Sequence, residues 1–252
     1  MRHESGSGKR QYPLRPVAEK EVFTVTEARA FLRKLDEDIP DDEMHKKVIL
    51  KFILLTGVRN GEMCGLKWSD IDFEKKVAHI RRNRMYSHKF GIYEKEPKTK
   101  KSQRDVPLPD ALIADLKLYM DWFRLADKEF DEHLEQYYLI VNDYREPIHP
   151  HGIGHFLTKF EDKHGFRHVT CHGLQHTYYS LLLSQNVPIQ TVSKYLGHSD
   201  PALTLKANAC FLYSRYAGAR PPCARLFNYI KIARKIFVFQ AFLASPQGIE
   251  PR

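Results

Sequence analysis

A mainly helical α+β domain with a small antiparallel β-sheet is the fold this sequence predicts, and three observations predict it. Apolar residues recur at helical spacing in successive segments between residues 24 and 196. Short patches of strand character at Val77–Ile80, Gly91–Glu94 and Asp105–Leu108 are separated by charged turns, which is the pattern of a small sheet. The 252 residues are 42% hydrophobic and 28% charged, with Pro and Gly scattered, which is the balance of a folded soluble chain and excludes collagen-like and wholly disordered classes.

Each element has its own reason. Thr24 and Glu27 form an S/T-x-x-E capping box, and Ala28, Phe31, Leu32 and Leu35 follow as the apolar stripe of a first helix. Pro40 and two aspartates end it, and His45 to Leu55 makes a second helix with Val48, Ile49, Phe52 and Leu55 inward, stopping at Thr56-Gly57. Asn60 to Leu66 reads as a short helix. The three strand patches follow and are expected to form one sheet. Pro109-Asp110 then opens a helix through Phe123 with Leu112, Ile113, Leu116 and Tyr119 on its buried face. Further helices are expected over His149–His164, Gly173–Gln185 and Ile189–Leu196.

Three regions result: a basic arm or linker remnant over residues 1–20, a domain over 21–205, and a basic tail over 206–252 whose character differs from the rest. The charge is distributed unevenly. The chain carries +9, but residues 206–252 hold eight Lys or Arg against one Glu, so +7 belongs to the tail and only +2 to the remainder. A pI near 9.3 suits a polyanionic partner, yet for the domain that argument has to rest on local patches. The four cysteines show no CxxC spacing and no secretory signal precedes them, which implies free thiols in a cytoplasmic protein. The longest apolar run, Ile236–Ala244, is interrupted by Gln240 and falls short of the ~20 residues that span a bilayer, so no membrane partner is expected.

Four segments can carry chemistry, and each has a plainer alternative. In LLTGVRNGE (54–62), Arg59 enters a helix after Gly57, where a guanidinium with its planar fork can seat a phosphate; otherwise it pairs with Glu62 on the surface. In EPKTKKSQR (96–104), Lys98 lies in a cationic turn between strands and can protonate a leaving alkoxide; otherwise the turn is a solvated tip. In CHGLQH (171–176), His172 shares a helical face with Gln175 and with His176. The H-x-x-x-H spacing also fits zinc, but Gly173 stands where a zinc peptidase needs its Glu, leaving only a structural site with Cys171. In VSKYLGHSD (192–200), His198 follows a helix closed by Gly197, placed either for catalysis or for capping.

Laid in order, LLTGVRNGEMCGLKWSDID, EPKTKKSQRDVPLP, HVTCHGLQHTYYSLL and VSKYLGHSDPALTL resemble the tyrosine recombinase (phage integrase) family, especially integrases of mobile elements. The resemblance covers about Glu21 to Leu205. It implies the family's mainly helical catalytic-domain fold, double-stranded DNA as partner, homo-oligomers from dimer to tetramer on that DNA, and site-specific recombination through a 3′-phosphotyrosyl intermediate without cofactor or metal. It also implies roles: Arg59 as the first catalytic arginine, Lys98 as the general acid, His172 as the histidine opening H-x-x-R, and His198 as a ligand of the scissile phosphate.

Two departures go with it. Gln175 stands where the family has its second arginine, and no tyrosine occurs between Leu205 and Cys210, where the nucleophile is expected. Tyr213 can serve if the connection is longer than usual, with Tyr216 after it. Loss of a charged donor implies a slower enzyme, and the alternative to an active recombinase is a catalytically impaired remnant that binds DNA. The resemblance also leads one to expect a core-binding domain before residue 21, and its loss after Leu205 implies a truncated and frameshifted reading frame.

Overall fold

The computed structural model describes residues 22–95, 103–185 and 187–196, apart from the side chains of Lys194 and Leu196. The first helix, α1 (Val25–Asp38), starts at the capping box expected of it: the Thr24 hydroxyl accepts from the Glu27 N–H at 3.2 Å, and the Glu27 carboxylate takes the Thr24 N–H at 2.7 Å. Its buried residues are Ala28, Phe31, Leu32 and Leu35, the stripe read from spacing.

Helix α2 (Met44–Thr56) is the axis of the fold. Apart from Lys46, every one of its residues is buried, because α1 and three later helices, α4 (Asp110–Ala126), α5 (Gly152–His164) and α6 (Cys171–Ser184), pack around it. The expected one-sided face (Val48, Ile49, Phe52, Leu55) is therefore only part of what it buries. Two lysines go inward with it. Lys51 donates to Asp36 of α1 at 2.5 Å and to Asp115 of α4 at 2.6 Å, and Lys47 lies 3.6 Å from Asp115, so three helices share one ion cluster. Buried ions hold only when each has partners.

Gly57 ends α2 in the left-handed region at φ +68°. A Cβ there would also meet the rings of Tyr178 and Tyr179 at 2.5 and 2.7 Å, so both backbone angle and space demand glycine. Helix α3 (Asn60–Gly65) follows. A turn at Trp68–Asp70 then seats the Trp68 indole among Tyr119, Phe123 and Phe130, with ring centroids 5.4–5.7 Å apart, which docks this segment on α4 (Asp110–Ala126).

The strands depart from expectation. A three-stranded antiparallel sheet is made of β1 (Ile71–Asp72), β2 (Val77–Ile80) and β5 (Arg104–Pro107), in the order β1-β2-β5. The Gly91–Glu94 patch does not join it. It forms β4 (Gly91–Lys95), paired with β3 (Asn83–Ser87) in a separate hairpin. No alternation marked β3, since none of its residues is buried. Its register is set at the tip, where Gly91 at φ +66° closes a three-residue loop against Ser87. The hairpin lies against α3 so closely that a Cβ on Gly61 would come within 2.0 Å of the Asn83 side chain.

Helices α5 (Gly152–His164), α6 (Cys171–Ser184) and α7 (Ile189–Leu196) complete the described structure. Among the described residues no helix is long and apolar enough to cross a membrane.

Asp115→Ala is expected to cost about 3 kcal/mol in urea unfolding, because Lys51 and Lys47 lose their shared buried counter-charge and keep only Asp36. Unchanged stability would mean that Asp36 and water suffice for both lysines.

Candidate active site

Arg59 caps α3, two residues beyond the Gly57 bend. Its backbone N–H donates to Glu62 Oε2 at 2.9 Å and its Nη1 to Glu62 Oε1 at 3.0 Å. The pairing with Glu62 offered as the plainer alternative is therefore present, but it is not a surface pair: the Glu62 side chain is 7% exposed, while that of Arg59 is 38% exposed. The carboxylate holds the guanidinium from behind and leaves part of it facing out.

A second guanidinium meets the same carboxylate. Arg104, at the start of β5, donates Nη1 to Glu62 Oε1 at 2.8 Å and Nη2 to Oε2 at 2.7 Å, a bidentate fork, and its Nε donates to the Tyr195 carbonyl in α7 at 2.7 Å. One side chain thus ties α3, β5 and α7. Burial by itself would push the Glu62 carboxyl up; the bonds from Arg104 and the charges of Arg104 and Arg59 outweigh it and hold the carboxyl below the usual carboxylate range. In the sequence alone Arg104 stands only as one charge of a cationic turn. The signal available was Glu62 itself, an acid within an otherwise apolar stretch, Met63-Cys64, that demands more than one cation once buried.

Helix α6 closes on the same bend. Thr170 caps it by accepting from the Gly173 N–H at 3.0 Å, so the helix starts at Cys171 and includes His172 in its first turn, slightly earlier than spacing indicated. Gln175 Nε2 donates to the Gly57 carbonyl at 3.0 Å, and the Tyr179 hydroxyl donates to it as well. His172 Nδ1 lies 3.2 Å from Gln175 Oε1, and His172 Nε2 lies 2.9 Å from His176 Nε2. The face shared by His172, Gln175 and His176 is thus real, and the His172 ring is exposed while Gln175 and His176 are buried.

The structure therefore brings Arg59 and His172 to one place, through Gly57 and Gln175. Lys98, His198 and Tyr213, with Tyr216, lie outside the described residues. Lys98 belongs to the segment joining β4 to β5, and β5 begins beside a polar cleft of about 360 Å³ lined by His79, Arg81, Gln103, Arg104 and Asp105.

The buried Tyr179 of α6 is a poor nucleophile, since burial pushes its phenol up to about 12. Burial likewise pushes the Cys171 thiol up to about 11 and that of Cys64 up to about 12, so both are neutral thiols at neutral pH. Among the described residues no group of three His, Cys, Asp or Glu side chains could hold a metal ion.

Residues 21–207 match the model of the phage integrase family. The chain belongs to the phage integrase family. It is 31% identical over 198 residues to a XerC-like tyrosine recombinase of Caldanaerobacter subterraneus subsp. tengcongensis, covering 74% of this chain and 50% of that protein. It is 30% identical over 194 residues to tyrosine recombinase XerA of Thermococcus onnurineus, covering 76% and 60%. The fold is similar to that of the Tn1549 transposon integrase in complex with a circular intermediate DNA, with a TM-score of 0.62 at 19% identity over 75% of this chain and 61% of that one. This family member spans between half and three fifths of the length of the curated relatives it matches.

Arg104→Lys is expected to lose the fork and the bond to α7 together, lowering stability by about 2 kcal/mol and speeding amide exchange in α7 more than in α1. Equal exchange in both helices would show that Arg104 does not fasten α7. The acid limb should also change. A carboxyl held below its ordinary value stabilises the fold above about pH 4.3 and ceases to do so as pH falls through its folded value. Glu62→Gln should be less stable than wild type at pH 7 and lose less stability between pH 5 and 3; parallel curves would exclude this role.

Proposed function

We propose that this chain is the catalytic part of a site-specific DNA recombinase that binds duplex DNA and cleaves and rejoins strands through a 3′-phosphotyrosyl intermediate. The observation that carries this reading is the partly exposed Arg59 guanidinium, fixed from behind by the buried Glu62, with the exposed His172 tied through Gln175 to the Gly57 bend two residues before it. A pentacoordinate phosphorane bears more negative charge than the phosphodiester it comes from, so fixed cationic and N–H donors aimed at its oxygens lower the barrier.

In this scheme Arg59 grips a non-bridging oxygen of the scissile phosphate. Tyr213 attacks phosphorus, its phenol giving its proton to water as the O–P bond forms and the P–O5′ bond breaks. Lys98 delivers a proton to the departing 5′ oxygen, and His172 and His198 serve the phosphate. Rejoining runs the same steps backwards, so no cofactor is consumed. The reading includes assembly of copies on DNA, from dimer to tetramer, in the cytoplasm.

A specific observation favours a slow enzyme. Gln175 stands in the place of the second arginine and brings no charge, and its amide nitrogen is engaged by the Gly57 carbonyl and the Tyr179 hydroxyl. Loss of one such donor costs about 2.7–4 kcal/mol of transition-state stabilisation, roughly 10²–10³ in rate.

The test uses nicked duplexes selected from a random-sequence pool by retention on the protein. Retention should weaken steeply with salt, as phosphate contacts release counterions. A denaturation-resistant protein–DNA adduct should form slowly with the wild-type chain, about 10²–10³ faster with Gln175→Arg, and not with Tyr213→Phe. Retention without an adduct in wild type and Gln175→Arg alike would leave DNA binding and overturn cleavage; retention insensitive to salt would overturn both.

A further inference from the structure

The bonds around Gln175 have a direction. The Gly57 carbonyl oxygen can only accept, so the atom of Gln175 lying 3.0 Å from it is the amide nitrogen, and the amide oxygen is the atom turned toward His172. That oxygen has no hydrogen, so His172 Nδ1, 3.2 Å away, carries the proton between them. A neutral imidazole has one N–H only. With the proton on Nδ1, His172 Nε2 is a lone pair, and the His176 Nε2–H, 2.9 Å away, donates to it. The three bonds run one way, from His176 through His172 and Gln175 to the backbone of the Gly57 bend.

An arginine at the same place would oppose that order. A guanidinium donates and never accepts, so an Nδ1 facing it has to be the lone pair, and the proton of a neutral His172 moves to Nε2. Replacement of arginine by glutamine at position 175 therefore does two things. It removes a positive charge, and it reverses which ring nitrogen of His172 can donate.

We propose that Gln175 is a positioning residue that holds neutral His172 as the Nδ1–H tautomer, so that His172 Nε2 carries a lone pair, taken up by His176, in place of an N–H donor. The catalytic consequence rests on the reading of His172 as a phosphate-facing residue; the tautomer rests on the three hydrogen bonds alone. In that form Nε2 has no proton for a phosphate oxygen, and its lone pair is occupied by the His176 N–H. His172 donates through both nitrogens only after gaining a second proton, and His176 Nε2 then has to turn from donor to acceptor.

The experiment is long-range proton–nitrogen NMR of the histidine rings in the whole ¹⁵N-labelled chain, at about pH 8.5, well above the ordinary histidine pKa of about 6.5. The His172 ring is assigned by its loss in His172→Asn. Wild type should show the protonated nitrogen at Nδ1. Gln175→Arg should move it to Nε2. Gln175→Met, close to glutamine in size but without its amide, should lower the Nδ1–H population, and it decides the matter if Gln175→Arg does not fold. A wild-type ring protonated at Nε2, or the wild-type tautomer unchanged in Gln175→Met, overturns the proposal. No DNA is present in this measurement, so a chain that neither binds nor cuts DNA would sink the recombinase reading and leave the tautomer result standing, and the reverse holds equally.

Discussion

A buried carboxylate governs this structure. Withdrawing an ionised carboxyl from water costs several kcal/mol, and Glu62 bears that cost because two guanidinium groups reach it from different elements. Arg59 comes from the same short helix and Arg104 from a strand 42 residues away. Once both are in place the carboxylate has four donors on its two oxygens, and a fifth N–H of the set leaves Arg104 for the Tyr195 carbonyl. The orientation of Arg59, the seating of β5 on α3 and the approach of α7 are thus consequences of one requirement, that a buried negative charge be fully met. A residue that looks from the surface like a free cation is in fact aimed.

The bend at Gly57 does for α6 what Glu62 does for β5 and α7. A left-handed residue ends α2 with its carbonyl turned outward from the helix, and that carbonyl needs donors. Gln175 and Tyr179, one helical turn apart on α6, supply them, and the missing Cβ at Gly57 makes room for the tyrosine rings. The bend and the histidine helix are therefore built as one unit, so a change at position 175 is felt both at His172 and in the packing of α6 against α2.

Much of the domain was legible because its determinants are local. The Thr24–Glu27 capping box and the stripes of α1 and α4 depend on residues within a turn or two of each other, and they appear where spacing put them. The order of four motifs sufficed to place the chain in its family, since each motif is a short contiguous string. The hairpin was misread for the opposite reason. Strand β3 has no buried face, so no alternation marks it, and it exists because β4 folds back on it at Gly91 and α3 lies against it.

By itself, then, the sequence determined the helices, the family, and the presence of Arg59, His172 and Gln175 in three short motifs, because helix periodicity, capping and motif spacing are short-range properties of a chain. Only the tertiary structure decided that Glu62 is buried rather than paired at the surface, that Arg104 is its second partner, and that Gln175, 118 residues from Gly57, spends its amide there. Those facts depend on which desolvated groups meet across the core, and no periodicity in the chain records that.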